Sequence, residues 1–457
     1  MTSTSIEPIL DQIEKALAAR DVPGAWQKLE PLRAQLDLDP KVASLWLTLL
    51  RVQPSRENLL EDVQRVLARW PDERALQLSG CDALIRAAEL AGPDMPVTAG
   101  GAAERAVQVA EANLMRLSPG ERADAAVGGY WCMNHANALR LAHRHDEAES
   151  AYEAALALDS DNGDWWFNLC LLRKAQGDFE RGLEAAQKAQ SILGDRRGVC
   201  WNVAICATAL GRGDVAAEAL RQLGFPATVL ASGMPHVDNL PPVQVRLATL
   251  GSGHGYAGPE LDRGVLFELV WVSPASPVHG VVQTPTFREA SVDYGDLVLW
   301  DGTPVGVVEH EGKPVPRFPL LSKLRPGAER RFRFIALEQD DGDVAACARE
   351  LPEPARFFLQ RAHVEMLCPR CASGEHMHKH THGTPEPHRL VYGKLIVPAG
   401  LELASFRVEL DAYLRKYPKV QFVIPALYEA LGETKAAGKA HQLWRGLERT
   451  SEKRALA

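Results

Sequence analysis

The 457-residue chain lacks any basic excess: 51 Lys and Arg stand against 59 Asp and Glu, giving a net charge of −8. Nucleic acids and anionic membranes are recognised by clustered positive charge, so neither is an expected partner. No run approaches the ~18 apolar residues of a spanning helix. The opening MTSTSIEPILDQIEKALAARD has an early acid and no uninterrupted apolar core of the signal-peptide kind. Cytoplasmic residence is the expectation. Of the eight cysteines, Cys81, Cys132, Cys170, Cys200 and Cys206 lie in apolar helical stretches, where a free thiol behaves as a small buried hydrophobe. Only Cys368 and Cys371 are spaced like ligands. Proline is absent from Gly120 to Phe225, and residues 1–225 hold 9 of the 30 prolines and 3 of the 14 histidines.

What the proline-free stretch does contain is a repeat. Apolar residues recur at three and four, as in NHANALRLAHRHDEAESAYEAALAL, the pattern of amphipathic helices. Shifting the chain on itself by 34 residues brings Ala148, Gly182 and Ala216 into register, then Tyr152, Ala186 and Leu220. The small residues fall where two helices of a hairpin cross closely, and Trp166, Leu169, Tyr152 and Leu220 are expected between hairpins. Gly177 and Gly211 fall at the turn, where a left-handed residue ends the first helix. Residues 129–223 thereby resemble tetratricopeptide repeats (TPR), whose 34-residue unit carries W-x-x-L-G-x-x-Y in helix A and a small residue near position 20 of helix B. Trp166, Leu169, Gly177 and Ala189 match; Cys170 and Arg173 stand where the family has Gly and Tyr. Upstream, AWQKLEPLRAQLDLDP and LLEDVQRVLARWPDERAL read as degenerate copies, and AGPDMPVTAGGAAERA as a loop insertion. About six helix pairs are expected over residues 1–225. The resemblance implies an α-solenoid whose groove docks a protein or peptide partner. Asn134, Asn168 and Asn202, spaced 34 residues apart, would line that groove and offer amides to a bound backbone.

After Phe225 the texture changes. VQVRLATL, VLFELVWV, GVVQTPTF, DLVLWDGTPVGVV and RFRFIALE read as strands, with Asp301-Gly302 centring a hairpin, so residues 226–350 are expected to form an antiparallel barrel or small sandwich. The cluster GSGHGYAG follows a strand but leads into another strand rather than a helix, so it fails the context of a phosphate loop. A catalytic set built from His254, His279, Asp293 and His310 has no nucleophile elbow or H-E-x-x-H to support it.

Residues 351–400 are the chemically dense part. After a helix expected around ARFFLQRAHVEML, the knuckle Cys368-Pro-Arg-Cys371 aims two thiolates at one point, and in an extended segment His376, His378, His380 and His382 share one face. The knuckle plus two of these histidines makes a tetrahedral Cys2His2 zinc site; spacing does not choose the two. Seven candidate donors, counting His388, are enough to close the sphere, which favours a structural ion. Residues 401–457 read as a helical cap. The whole is expected to be an α-solenoid followed by an α+β module with a zinc site: a non-enzymatic protein-interaction scaffold. The alternative is a metal-dependent enzyme, or a metal-trafficking or sensing protein, using the same Cys/His set.

Overall fold

A computed structural model describes residues 6–53, 58–91, 96–248, 267–286, 290–338, 340, 342–360 and 390–455. The chain divides into two compact units, Met1–Leu210 and Gly211–Ala457. No helix among the described residues is long and apolar enough to cross a membrane.

Among its described residues the first unit is built from helices and carries no strand. Its elements are α1 (Glu7–Ala18), α2 (Val22–Leu29), α3 (Pro40–Val52), α4 (Leu59–Arg69), α5 (Arg74–Ala91), α6 (Pro96–Arg116), a short α7 (Pro119–Ala123), α8 (Tyr130–Leu141), α9 (His145–Leu158), α10 (Gly163–Gln176), α11 (Phe179–Leu193) and α12 (Arg197–Ala209). Neighbours in sequence pack as antiparallel hairpins, α5 on α6, α8 on α9 and α10 on α11, and each hairpin leans on the next. Local chemistry sets the breaks. Asn162 caps α10 through its side chain, Gly177 closes that helix at φ +78°, and Asp178 caps α11. The small residues Ala148, Gly182 and Ala186 are buried at the crossings, with Tyr152 and Leu169 between layers.

Two expectations for this unit change. Trp165, not Trp166, enters the core; Trp166 lies half-buried, its indole N–H donating to the Ser160 carbonyl at 2.8 Å. A single π-helical turn, Ala125–Gly129, precedes α8, and a Cβ on Gly129 would lie 2.4 Å from the Trp165 ring, so only glycine lets that ring in. The presumed loop insertion is also mostly helix. Pro96 opens α6 at its first turn, where its missing N–H costs nothing, and Ala102, Ala103 and Ala106 bury the following face.

The second unit begins with α13 (Gly213–Gln222), packed on a two-stranded ribbon, β1 (Thr228–Val229) and β2 (Pro235–His236). A six-stranded sheet follows: β3 (Val243–Ala248), β4 (Phe267–Ser276), β5 (His279–Val282), β6 (Leu297–Trp300), β7 (Gly306–His310) and β8 (Lys313–Arg325). Its order is β3-β4-β5-β6-β8-β7, and a parallel pairing of β8 with β3 closes five strands into a barrel. The bore of so small a barrel takes mainly compact side chains. It is filled by Val243, Val245, Val270, Val272, Val282, Val298 and Trp300, while Trp271 faces out against the His310 ring. The tight hairpin turn lies at Glu311-Gly312, both at positive φ, and joins β7 to β8; Asp301-Gly302 only links β6 to β7, which do not pair.

A second sheet, in the order β10-β11-β9-β12, comprises β9 (Arg330–Glu338), β10 (Arg356–Gln360), β11 (Leu390–Val397) and β12 (Val420–Val423). One face packs Phe332, Phe334, Phe357, Val391 and Leu395 against α14 (Asp343–Arg349), α15 (Leu403–Leu414) and α16 (Pro425–Ala430); the other sets Ile335, Leu390 and Val423 against Ala440 of α17 (Thr434–Ala455). Two expected helical stretches contain strands instead. Residues 356–360 are β10, and Val420–Val423 form β12 before Pro425 starts a helix. The C-terminal segment thus completes a sheet as well as capping it.

Candidate functional site

Along the first unit the A helices α5, α8, α10 and α12 lie side by side, and the asparagine column maps onto them. Asn134 of α8 is buried and hydrogen-bonds the Asp82 carboxylate of α5. Burial raises the pKa of Asp82, opposed by Arg51, 3.6 Å away, and by Asn134. Asn202 of α12 is also buried, accepting from Lys174 Nζ of α10 at 2.8 Å and donating to the Gly198 carbonyl at 3.0 Å. Two of the three amides therefore stitch neighbouring A helices. Asn168 differs: it is half-buried, and among the described residues its Nδ2 reaches only the Met133 sulfur, at 3.7 Å. A thioether is a weak acceptor, so this carboxamide keeps most of its hydrogen-bonding capacity. Beside it Phe167 extends toward Gly198 of α12, and Tyr130, half exposed, meets Trp165 edge-on. Asp82 and Lys174 were not visible as partners in the sequence. A lysine in LLRKAQG looks like a solvated residue until the fold buries it.

Cys368, Cys371, His376, His378, His380 and His382 lie outside the described residues. The anchorage of their segment is described. β10 and β11 pair antiparallel with Gln360 opposite Tyr392, so residues 361–389 connect two neighbouring strands of one sheet. Among the described residues no group of three or more His, Cys, Asp or Glu could hold a metal ion. The described cysteines are free thiols; burial pushes Cys81 well up and Cys347 up to about 11, which keeps both unreactive.

Beneath that anchorage the sheet meets the barrel through a buried polar seam. Lys394 of β11, 4% exposed, donates to Thr286 Oγ1 at 3.0 Å and pairs with Asp293. Burial lowers its pKa and Asp293 opposes the shift. Gln360 donates to the Pro285 carbonyl at 2.7 Å, and Arg331 joins Asp296 at 2.6 Å and the Tyr294 carbonyl at 2.8 Å. The histidines and acid weighed as a catalytic set are dispersed: His279 pairs with Ser276, Asp293 with Lys394, and the His310 ring packs tilted against Trp271. His254 lies outside the described residues.

No protein-family model matches the chain, and no curated protein matches it. Among solved structures it is similar to a thermophilic TPR protein of Thermus thermophilus, at 17% identity over 48% of this chain and 99% of that one, with a TM-score of 0.33. It is also similar to MamA, at 15% identity over 46% and 91% with a TM-score of 0.22. The TPR2AB-domain–pHSP90 complex of yeast Sti1 is similar at 12% identity over 48% and 90%, with a TM-score of 0.18. By its 34-residue period, its stacked hairpins and its left-handed helix stop at Gly177, the N-terminal half is TPR-like.

Proposed function

We propose that this chain is a protein-interaction scaffold that holds an extended segment of a partner protein on its A-helix face. The observation that carries the reading is Asn168, whose carboxamide is half-buried between A helices and meets the weakly accepting Met133 thioether. An amide so placed can donate to and accept from a peptide backbone while Phe167 and Tyr130 offer apolar contact. Asn134 and Asn202 flank it and hold the face in shape. The C-terminal module carries a zinc ion through Cys368, Cys371 and two of His376, His378, His380 and His382, a donor set suited to that metal. The docking claim is tested by affinity capture with the full chain, comparing wild type with Asn168→Ala at unchanged helical circular dichroism. Losing one bidentate amide contact is expected to weaken the docked segment about tenfold. Retention of every partner at wild-type affinity would overturn it.

A further inference from the structure

The ribbon β1–β2 joins the barrel beside two histidines. The Val237 N–H donates to the Ala275 carbonyl at 2.9 Å, which brings His236 next to the turn Ser276–His279. His279 is 1% exposed, and its Nδ1 lies 2.6 Å from Ser276 Oγ. That hydroxyl accepts the Val278 N–H at 3.3 Å and keeps one proton and one further lone pair for the bond with Nδ1. His236 meets Asp238 through Nε2 at 3.0 Å, and its buried Nδ1 has no hydrogen-bond partner among the described residues.

Among the described residues, the other walls around His279 bring no acidic group against it. β6 crosses it at Leu299, with Val298 and Trp300 on either side, and β4 brings Ser276. Among the described residues, the titratable groups facing it are His236 and, beyond that ring, Asp238. Protonating the ring would place a buried charge beside a second imidazole, a state that only exposure to water relieves.

We propose that the ribbon is fastened to the barrel by an acid-released clasp, in which protonation of His279 opens the Ser276–His279 turn and frees β1–β2 together with α13. The helix would follow because it packs on both ribbon strands and Arg221 donates to the Ala227 carbonyl at 2.9 Å.

Burial, with His236 adding to it, holds the His279 pKa down to about 4. The opened state, with an ordinary histidine, binds more protons, so closure is complete above about pH 6.5 and is lost as the pH falls toward 4. The test is hydrogen–deuterium exchange on the full chain at pH 7.5 and 5.0, corrected for intrinsic rates. Peptides spanning 228–237 and 272–282 are expected to exchange at least about tenfold faster at pH 5.0, while 330–338 and 390–397 do not change. His279→Asn, which can accept from Ser276 but cannot titrate, should abolish the difference. Unchanged protection in the wild type, or an equal acid response in His279→Asn, would overturn the clasp. Should that variant fail to fold, carbon-13-labelled histidine spectra of the wild type decide: a His279 titration midpoint at the ordinary histidine value sinks the proposal, and a depressed midpoint coincident with ribbon opening supports it.

Discussion

His143 occupies the left-handed turn position that glycine fills one and two repeats later. Its φ is +59°, against +78° at Gly177 and +69° at Gly211, each 34 residues further on. A side chain in that region costs about 1 kcal/mol through contact of Cβ with the following carbonyl. Glycine removes the strain but frees the unfolded chain, so His143→Gly is expected to stabilise by only about 0.5 kcal/mol, and Gly177→Ala to destabilise by about 1 kcal/mol. Urea unfolding midpoints check both; a destabilising His143→Gly would show that the imidazole makes a contact worth more than the strain. The 34-residue period made Gly177 legible as a turn. It did not reveal His143, because the conformation belongs to the position and not to the residue type. It did not separate Trp165 from Trp166 either. Helical spacing tolerates either tryptophan as the buried one, and the choice is made by Gly129 in the preceding repeat, which leaves room for the Trp165 ring.

For whole elements, most helices and the barrel strands were readable, whereas β10 and β12 were not. An amphipathic helix carries its period within one segment, whereas β10 owes its conformation to β11, paired across residues 361–389. ARFFLQ has no strict alternation, so nothing local marks it as a strand. β12 is similar: VQFV becomes a strand because β9 is there to receive it. Lys394 shows the same dependence on distant partners. In YGKLIV it occupies an outward phase of β11, and the barrel covers it with Thr286 and Asp293. Removing one member of a buried pair leaves the other charged and unpaired. Lys394→Ala is therefore expected to lower stability by about 3–5 kcal/mol, whereas Lys394→Met combined with Asp293→Asn should recover most of that loss. The asparagine retains an acceptor for the Thr286 and Tyr294 N–H groups that Asp293 now receives. Thermal unfolding of the two variants measures this, and a double variant as unstable as the single would show that the seam depends on charge itself.

At the scale of the whole chain, the helical half announced itself through repetition and the other half through one dense stretch of donors. Five of the 14 histidines fall between His376 and His388, close behind Cys368 and Cys371. The fold gives that stretch a consequence. It connects β10 and β11, whose pairing fixes Phe357, Val391 and Leu395 in the core, so the cost of closing a long connection falls on the sheet. A tetrahedral zinc site within the connection would shorten the free chain and reduce that cost, coupling metal to the stability of the β-containing unit. One zinc ion per chain is expected by native mass spectrometry, and Cys368→Ser with Cys371→Ser should lose it. Chelation is expected to lower the unfolding temperature of the unit containing the sheet, while the far-ultraviolet helical signal of the TPR-like half persists to its own transition. A bound ion whose removal leaves both transitions in place would exclude the structural role and favour metal handling or metal-dependent catalysis. A chain that binds no zinc at micromolar free metal would remove the site altogether, leaving the sheet to close residues 361–389 through side-chain packing and the Gln360–Pro285 and Lys394–Asp293 contacts alone.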